Sequence, residues 1–157
     1  MESKALEPIR TLLDQAYQTV MGRSCTPETE QAIADFEKKY NVHLPEAYRD
    51  LLLYYGACNF GDPALYSTKE LDWAYPAFVE AYREYKKEYD LSEELNPFPI
   101  GGFGEGSIAV LEQNTGKVLM LIHDYAGDYP FQEVAPHFNG LMEMLAESAI
   151  WVQEQMK

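Results

Sequence analysis

The sequence predicts an α+β domain: N-terminal helices, a small mostly antiparallel sheet, and a C-terminal helix packed on that sheet. Three observations carry this. Apolar residues recur at three- and four-residue spacing early in the chain and again at its end. Between these regions lie short apolar runs punctuated by glycine, proline and asparagine, the pattern of strands and turns. Strands bracketed by helices, rather than alternating with them, read as α+β.

The first helix follows from Leu6, Ile9, Leu13, Ala16 and Val20, which share one face. Thr26 and Pro27 suit the start of a second helix, with Glu28 and Glu30 near its positive end. Ile33, Phe36 and Tyr40 form its dry stripe, and Asn41 accepts the left-handed conformation that ends it. Val42 and Leu44 fill a connector, and Pro45 opens the next helix. Tyr48, Leu51, Leu52 and Tyr55 are its buried stripe, and Gly56 its stop.

The pattern loosens from Cys58 to Pro76. Gly61-Asp62-Pro63 is a turn, Ala64-Leu65-Tyr66 a short strand, and Trp73 and Tyr75 show no clear period. A helix is expected after Pro76, with Phe78, Tyr82, Tyr85 and Tyr89 on one stripe. Strands are expected at Phe98–Ile100, Ser107–Glu112 and Val118–Ile122, the last two joined by Gln113-Asn114-Thr115-Gly116. The unbroken apolar run from Val118 to Ile122 marks a strand covered on both faces. After Pro130 the final helix carries Phe138, Leu141, Met142, Leu145, Ala149 and Val152 on one side.

One domain, residues 1–157, is expected, since neither a repeat nor a Ser/Gly linker divides the chain. A chain of this length buries roughly 70% of its unfolded surface. The first twenty residues read as a mature helix and not as a leader, and no apolar run reaches membrane-spanning length, so a cytoplasmic location is expected. Cys25 and Cys58 lack metal-site spacing and are expected to be free thiols. Lys and Arg total 12 against 26 Asp and Glu, a formal net charge of −14. That argues against nucleic-acid and anionic-membrane partners, which need clustered cations. It suits attraction to a basic protein.

No residue pattern points to catalysis. Gly101-Gly102-Phe103-Gly104-Glu105-Gly106-Ser107 lacks the lysine of a phosphate loop and the third glycine of a dinucleotide turn, and Glu105 would repel phosphate. It reads as a turn between strands, or as a loop that adapts to a partner. His43, His123 and His137 have no metal spacing and read as surface or capping residues. The carboxylates, including Glu84, Glu88, Glu93 and Glu94, read as solvated faces. Neither a calcium loop nor a nucleophile elbow occurs. Neither cofactor nor metal is expected.

Three ordered segments carry a family resemblance. Leu44-Pro45-Glu46-Ala47-Tyr48-Arg49-Asp50-Leu51-Leu52 follows a helix ending in an aromatic. Phe98-Pro99-Ile100-Gly101-Gly102 leads through a strand to Thr115-Gly116-Lys117-Val118, and through another to His123-Asp124. Val134-Ala135-Pro136-His137-Phe138 opens the last helix. Over about residues 26 to 150 the chain resembles the SUKH superfamily, which includes fungal cell-wall-assembly regulators and many bacterial toxin-immunity proteins. It departs at Tyr55-Gly56-Ala57, where an Asn-Gly pair is expected.

The resemblance implies protein binding without catalysis, in an immunity role whose partner is a basic toxin domain, for example a nuclease. A regulatory adaptor is the alternative it leaves open, and an enzyme with an unrecognised site the remaining one. The candidate contact residues are Trp73, Tyr75, Asp124, Tyr125, Asp128 and Tyr129, with the acids Glu84, Glu88, Glu93 and Glu94. Aromatic rings anchor interfaces, and acids beside them pair with Lys or Arg. The stretch Asp124 to Pro130 mixes the two kinds of residue, and its tyrosines could equally fold back on the sheet.

Overall fold

A computed structural model describes residues 3–91, 95–123, 127 and 129–157. Among these, a 3₁₀ turn at Glu7–Ile9 leads into α1 (Arg10–Tyr17), followed by α2 (Val20–Arg23), α3 (Glu30–Tyr40) and α4 (Glu46–Tyr54). Strand β1 (Ala64–Leu65) precedes the long α5 (Thr68–Glu88). Then come β2 (Pro97–Gly102), β3 (Ile108–Glu112), β4 (Val118–Leu121), β5 (Phe131–Ala135) and α6 (Phe138–Gln155). The sheet has the order β1-β2-β3-β4-β5, and every pair is antiparallel. The fold is α+β, as its pattern predicts, with α6 packed against β5 and α1.

Strand alternation divides the interior in two. Phe98, Ala109, Leu111, Val118 and Ala135 enter the larger core, shared with Leu13, Tyr48, Leu51 and Leu141 from the helices. Val110, Leu119, Leu121 and Phe131 enter a smaller core closed by Phe78, with Tyr82 and Tyr85 beside it. The apolar run of β4 is explained: it is covered on both faces. Helix α5 serves both cores, since Leu71 belongs to the larger and Phe78 to the smaller.

Five local features differ from the sequence reading. The expected first helix is split: α1 ends at Tyr17, and Val20, expected on its buried face, opens α2 with 49% of itself exposed. Helix α3 begins at Glu30, capped by Thr29 rather than Thr26, whose hydroxyl accepts from the Ala32 amide at 3.1 Å. Glu28 therefore lies before the helix, and its carboxylate accepts from the amide of Thr68 at 2.9 Å and from the Thr68 hydroxyl at the start of α5. Helix α5 begins at Thr68, eight residues before Pro76. Proline inside a helix strands the carbonyl four residues earlier. Here that carbonyl is Asp72's, and the Tyr40 hydroxyl donates to it at 2.7 Å. A tertiary bond thus replaces the missing helical one. Strand β5 also occupies residues 131–135, before the last helix.

Other expectations are met. Asn41 ends α3 with φ 52°. His137 caps α6, its Nδ1 accepting from the Gly140 amide at 2.9 Å. Gly56 ends α4 with φ 93°; a Cβ there would lie 2.2 Å from the Thr26 carbonyl oxygen. The Tyr17 hydroxyl donates to the Gly56 carbonyl at 2.8 Å, so Tyr55-Gly56-Ala57 makes a tight, buried turn. Both cysteines are free, and burial pushes the Cys58 thiol up to about 12.

Candidate partner-binding surface

Continuous helix through Pro76 puts residues from both sides of it on one surface. Trp73, Ala77, Glu84 and Glu88 lie within about 60° of one another around the α5 axis at 3.6 residues per turn. Trp73 is 62% exposed although it is one of the largest apolar side chains. Its ring meets the Tyr66 ring edge-on, with centroids 6.1 Å apart. Glu84 and Glu88 are exposed further along the helix.

A groove of about 730 Å³ opens beside Trp73. One wall is α5, through Trp73, Ala77 and Ala81, with Ala74 and Phe78 deeper. The opposite wall is the glycine-rich turn between β2 and β3, through Phe103, Gly104 and Gly106. Alanines on the helix and glycines in the turn create the concavity, because neither fills the space between the walls. The lining includes two carboxylates, Asp62 and Glu70, and no Lys, Arg or His. Neither carboxylate has an ion-pair partner among the described residues.

The turn itself is tied down. The Phe103 amide donates to the Ser107 carbonyl at 2.9 Å and the Gly106 amide to the Phe103 carbonyl at 3.1 Å. The Gly104 amide donates to Asp62 Oδ1 and the Ser107 amide to Glu105 Oε1, each at 2.8 Å. The amides that would cradle a phosphate already hold protein oxygens, two of them carboxylate oxygens. The hydrogen bonds from Ser107 hold the Glu105 carboxyl below its usual range, keeping it charged. The physical ground for rejecting a phosphate loop is thus stronger than the missing lysine.

The remaining predicted residues fall in different places. Tyr75 is half-buried, its ring among those of Phe36, Tyr40 and Phe98 at 5.7, 5.3 and 5.5 Å. Tyr129 is 41% exposed and leans on Phe131 with centroids 5.7 Å apart. Glu93, Glu94, Asp124, Tyr125 and Asp128 lie outside the described residues. The sequence reading missed Ala77, Phe103, Asp62 and Glu70 as neighbours of Trp73. Small residues at Ala74, Ala77 and Ala81 beside an aromatic were the available signal, hidden because the helix was expected to start after Pro76. It also missed a second exposed indole: Trp151 on α6 is 64% exposed, and Met144, two turns earlier, 55%.

A family model described as SMI1-KNR4 cell-wall, SUKH_6, matches residues 30–142. The chain belongs to the SUKH superfamily. The matched span runs from α3 into α6 and so contains both walls of the groove. Helices α1 and α2 of this SUKH domain precede it. No curated protein matches the chain. Among the described residues, no helix is long and apolar enough to cross a membrane.

Proposed function

We propose that this SUKH domain binds a protein partner without catalysing a reaction, as an immunity protein that neutralises a toxin by occupying it. The observation that carries the reading is the exposed face of α5. It sets an unburied indole in line with the exposed carboxylates of Glu84 and Glu88, on a chain of net charge −14. Superfamily membership supports an immunity or regulatory role. The partner presents basic residues. In a nuclease these belong to the groove that holds substrate phosphates, and acidic side chains docked there exclude the nucleic acid. Long-range attraction speeds the encounter, and the aromatic contact slows release.

A regulatory adaptor is the second reading, favoured by the cell-wall description of the matching family. The two differ in what the partner does when alone. Capture of partners by the tagged full-length chain from its own cells, followed by expression of each partner with and without the chain, separates them. The immunity reading expects a partner that arrests growth alone and is harmless beside the chain. A partner that never arrests growth contradicts it and favours the adaptor.

A further inference from the structure

We infer that the groove between α5 and the β2–β3 turn receives a short partner segment whose apolar side chains are flanked by Lys or Arg. This rests on the protein-binding reading above and names the part of the partner that is recognised. The groove's volume of about 730 Å³ suits a few side chains. Its apolar lining, with Phe78 and Phe103 at either wall, favours aliphatic or aromatic residues.

Charge decides what accompanies them. Asp62 and Glu70 line the groove, and the lining contains no Lys, Arg or His; Glu105 lies on the same turn, where His123 faces it. An acidic segment would meet repulsion, while a Lys or Arg beside the apolar anchor finds carboxylates within the same cleft. Asp62 Oδ1 and Glu70 Oε1 already accept hydrogen bonds, from the Gly104 amide and from Ser67. They are therefore held in place before any partner arrives, so less ordering entropy is lost on binding. The Trp73 ring at the margin adds a face for a guanidinium. A phosphorylated segment is excluded by the same charges and by the occupied amides of the turn.

The test is selection from a display library of random dodecapeptides on the full chain, followed by binding measurements with the enriched peptides. With Trp151→Phe, Trp73 fluorescence reports binding beside the groove in the otherwise unchanged chain, and the affinities of all variants are read by calorimetry. Expected are peptides pairing apolar residues with Lys or Arg. Their affinity should fall about tenfold or more in Trp73→Ala and Ala77→Arg, while Met144→Ala, exposed on α6 and outside the groove, leaves it unchanged. Both Trp73 and Ala77 are exposed, so melting temperatures should match the parent. Acidic enriched peptides, no enrichment, or affinity indifferent to both groove variants would overturn the assignment. So would a dimer of the chain that Trp73→Ala dissolves in sedimentation, since a second copy would then be the occupant. The protein-binding reading fails separately: it falls if no partner is captured from cells, and it stands if a captured partner ignores the groove variants.

Discussion

Tyr48 and Trp73 both meet Tyr66, and they end in opposite environments. Tyr48 is fully buried and donates its hydroxyl to the Tyr66 carbonyl at 2.5 Å. Trp73 touches the Tyr66 ring and leaves 62% of itself in solvent. The first joins α4 to the link between β1 and α5. The second adds little to that framework and stands beside a groove. Two large aromatics near one residue thus divide the work: one fixes where Tyr66 sits, and the other presents a surface. Trp151 sharpens the lesson, since it is as exposed as Trp73 but lines none of the clefts described among these residues. Exposure marks a candidate, and concavity with charge gives it a direction.

Tyr48 should carry the greatest cost to stability. Tyr48→Ala should cost about 3–5 kcal/mol by urea unfolding, because it empties a core site and leaves the half-buried Tyr66 carbonyl without its donor. Next is Glu112, which is 2% exposed and accepts from the amides of Asn96, Thr115 and Asn114 at 2.7, 3.0 and 3.2 Å. Burial raises its carboxyl, but these hydrogen bonds outweigh burial and the net direction is downward. Its stabilisation is therefore complete above the ordinary glutamate value of about 4.3 and is lost as pH falls through the lower folded value. Glu112→Gln should cost about 1–3 kcal/mol at neutral pH, and should flatten the decline of stability in acid. An unchanged acid profile would remove Glu112 from the account.

Tyr40→Phe is expected to lower the melting temperature slightly, by leaving the Asp72 carbonyl opened by Pro76 to water in place of its donor. In the double variant with Pro76→Ala the helix supplies its own bond, so the loss should shrink. Smallest of all on stability is Trp73→Ala, expected within about 0.5 kcal/mol of the parent. The same change should weaken partner binding by about 2 kcal/mol or more, the reverse of the Tyr48 pattern. A clear drop in melting temperature for Trp73→Ala would assign the indole to folding and erase the contrast.

Much of the fold was legible because periodicity records burial. The stripes of α3, α4 and α6, the β3–β4 hairpin and the doubly covered β4 all follow from residue spacing. The misread boundaries share a cause: each depends on a partner distant in sequence. Nothing near Pro76 announces that Tyr40 will bond the Asp72 carbonyl. Nothing near Glu28 announces Thr68. Strand β5 was hidden because Phe131–Ala135 is an edge strand with Gln132 and Glu133 exposed, so its apolar content is low. The groove was illegible for a related reason. Its walls come from α5 and the β2–β3 turn, about thirty residues apart, and their small side chains matter only once the walls face each other. Trp73 was named as a contact residue on chemistry alone, before the surface beside it was visible.

The proposal stands on capture of a basic protein by an acidic face. The most direct measurement is the association rate of the full chain with its captured partner as salt is raised. That rate should fall about tenfold or more from low to high ionic strength, with the dissociation rate changing far less. A rate that stays flat across that range would contradict it.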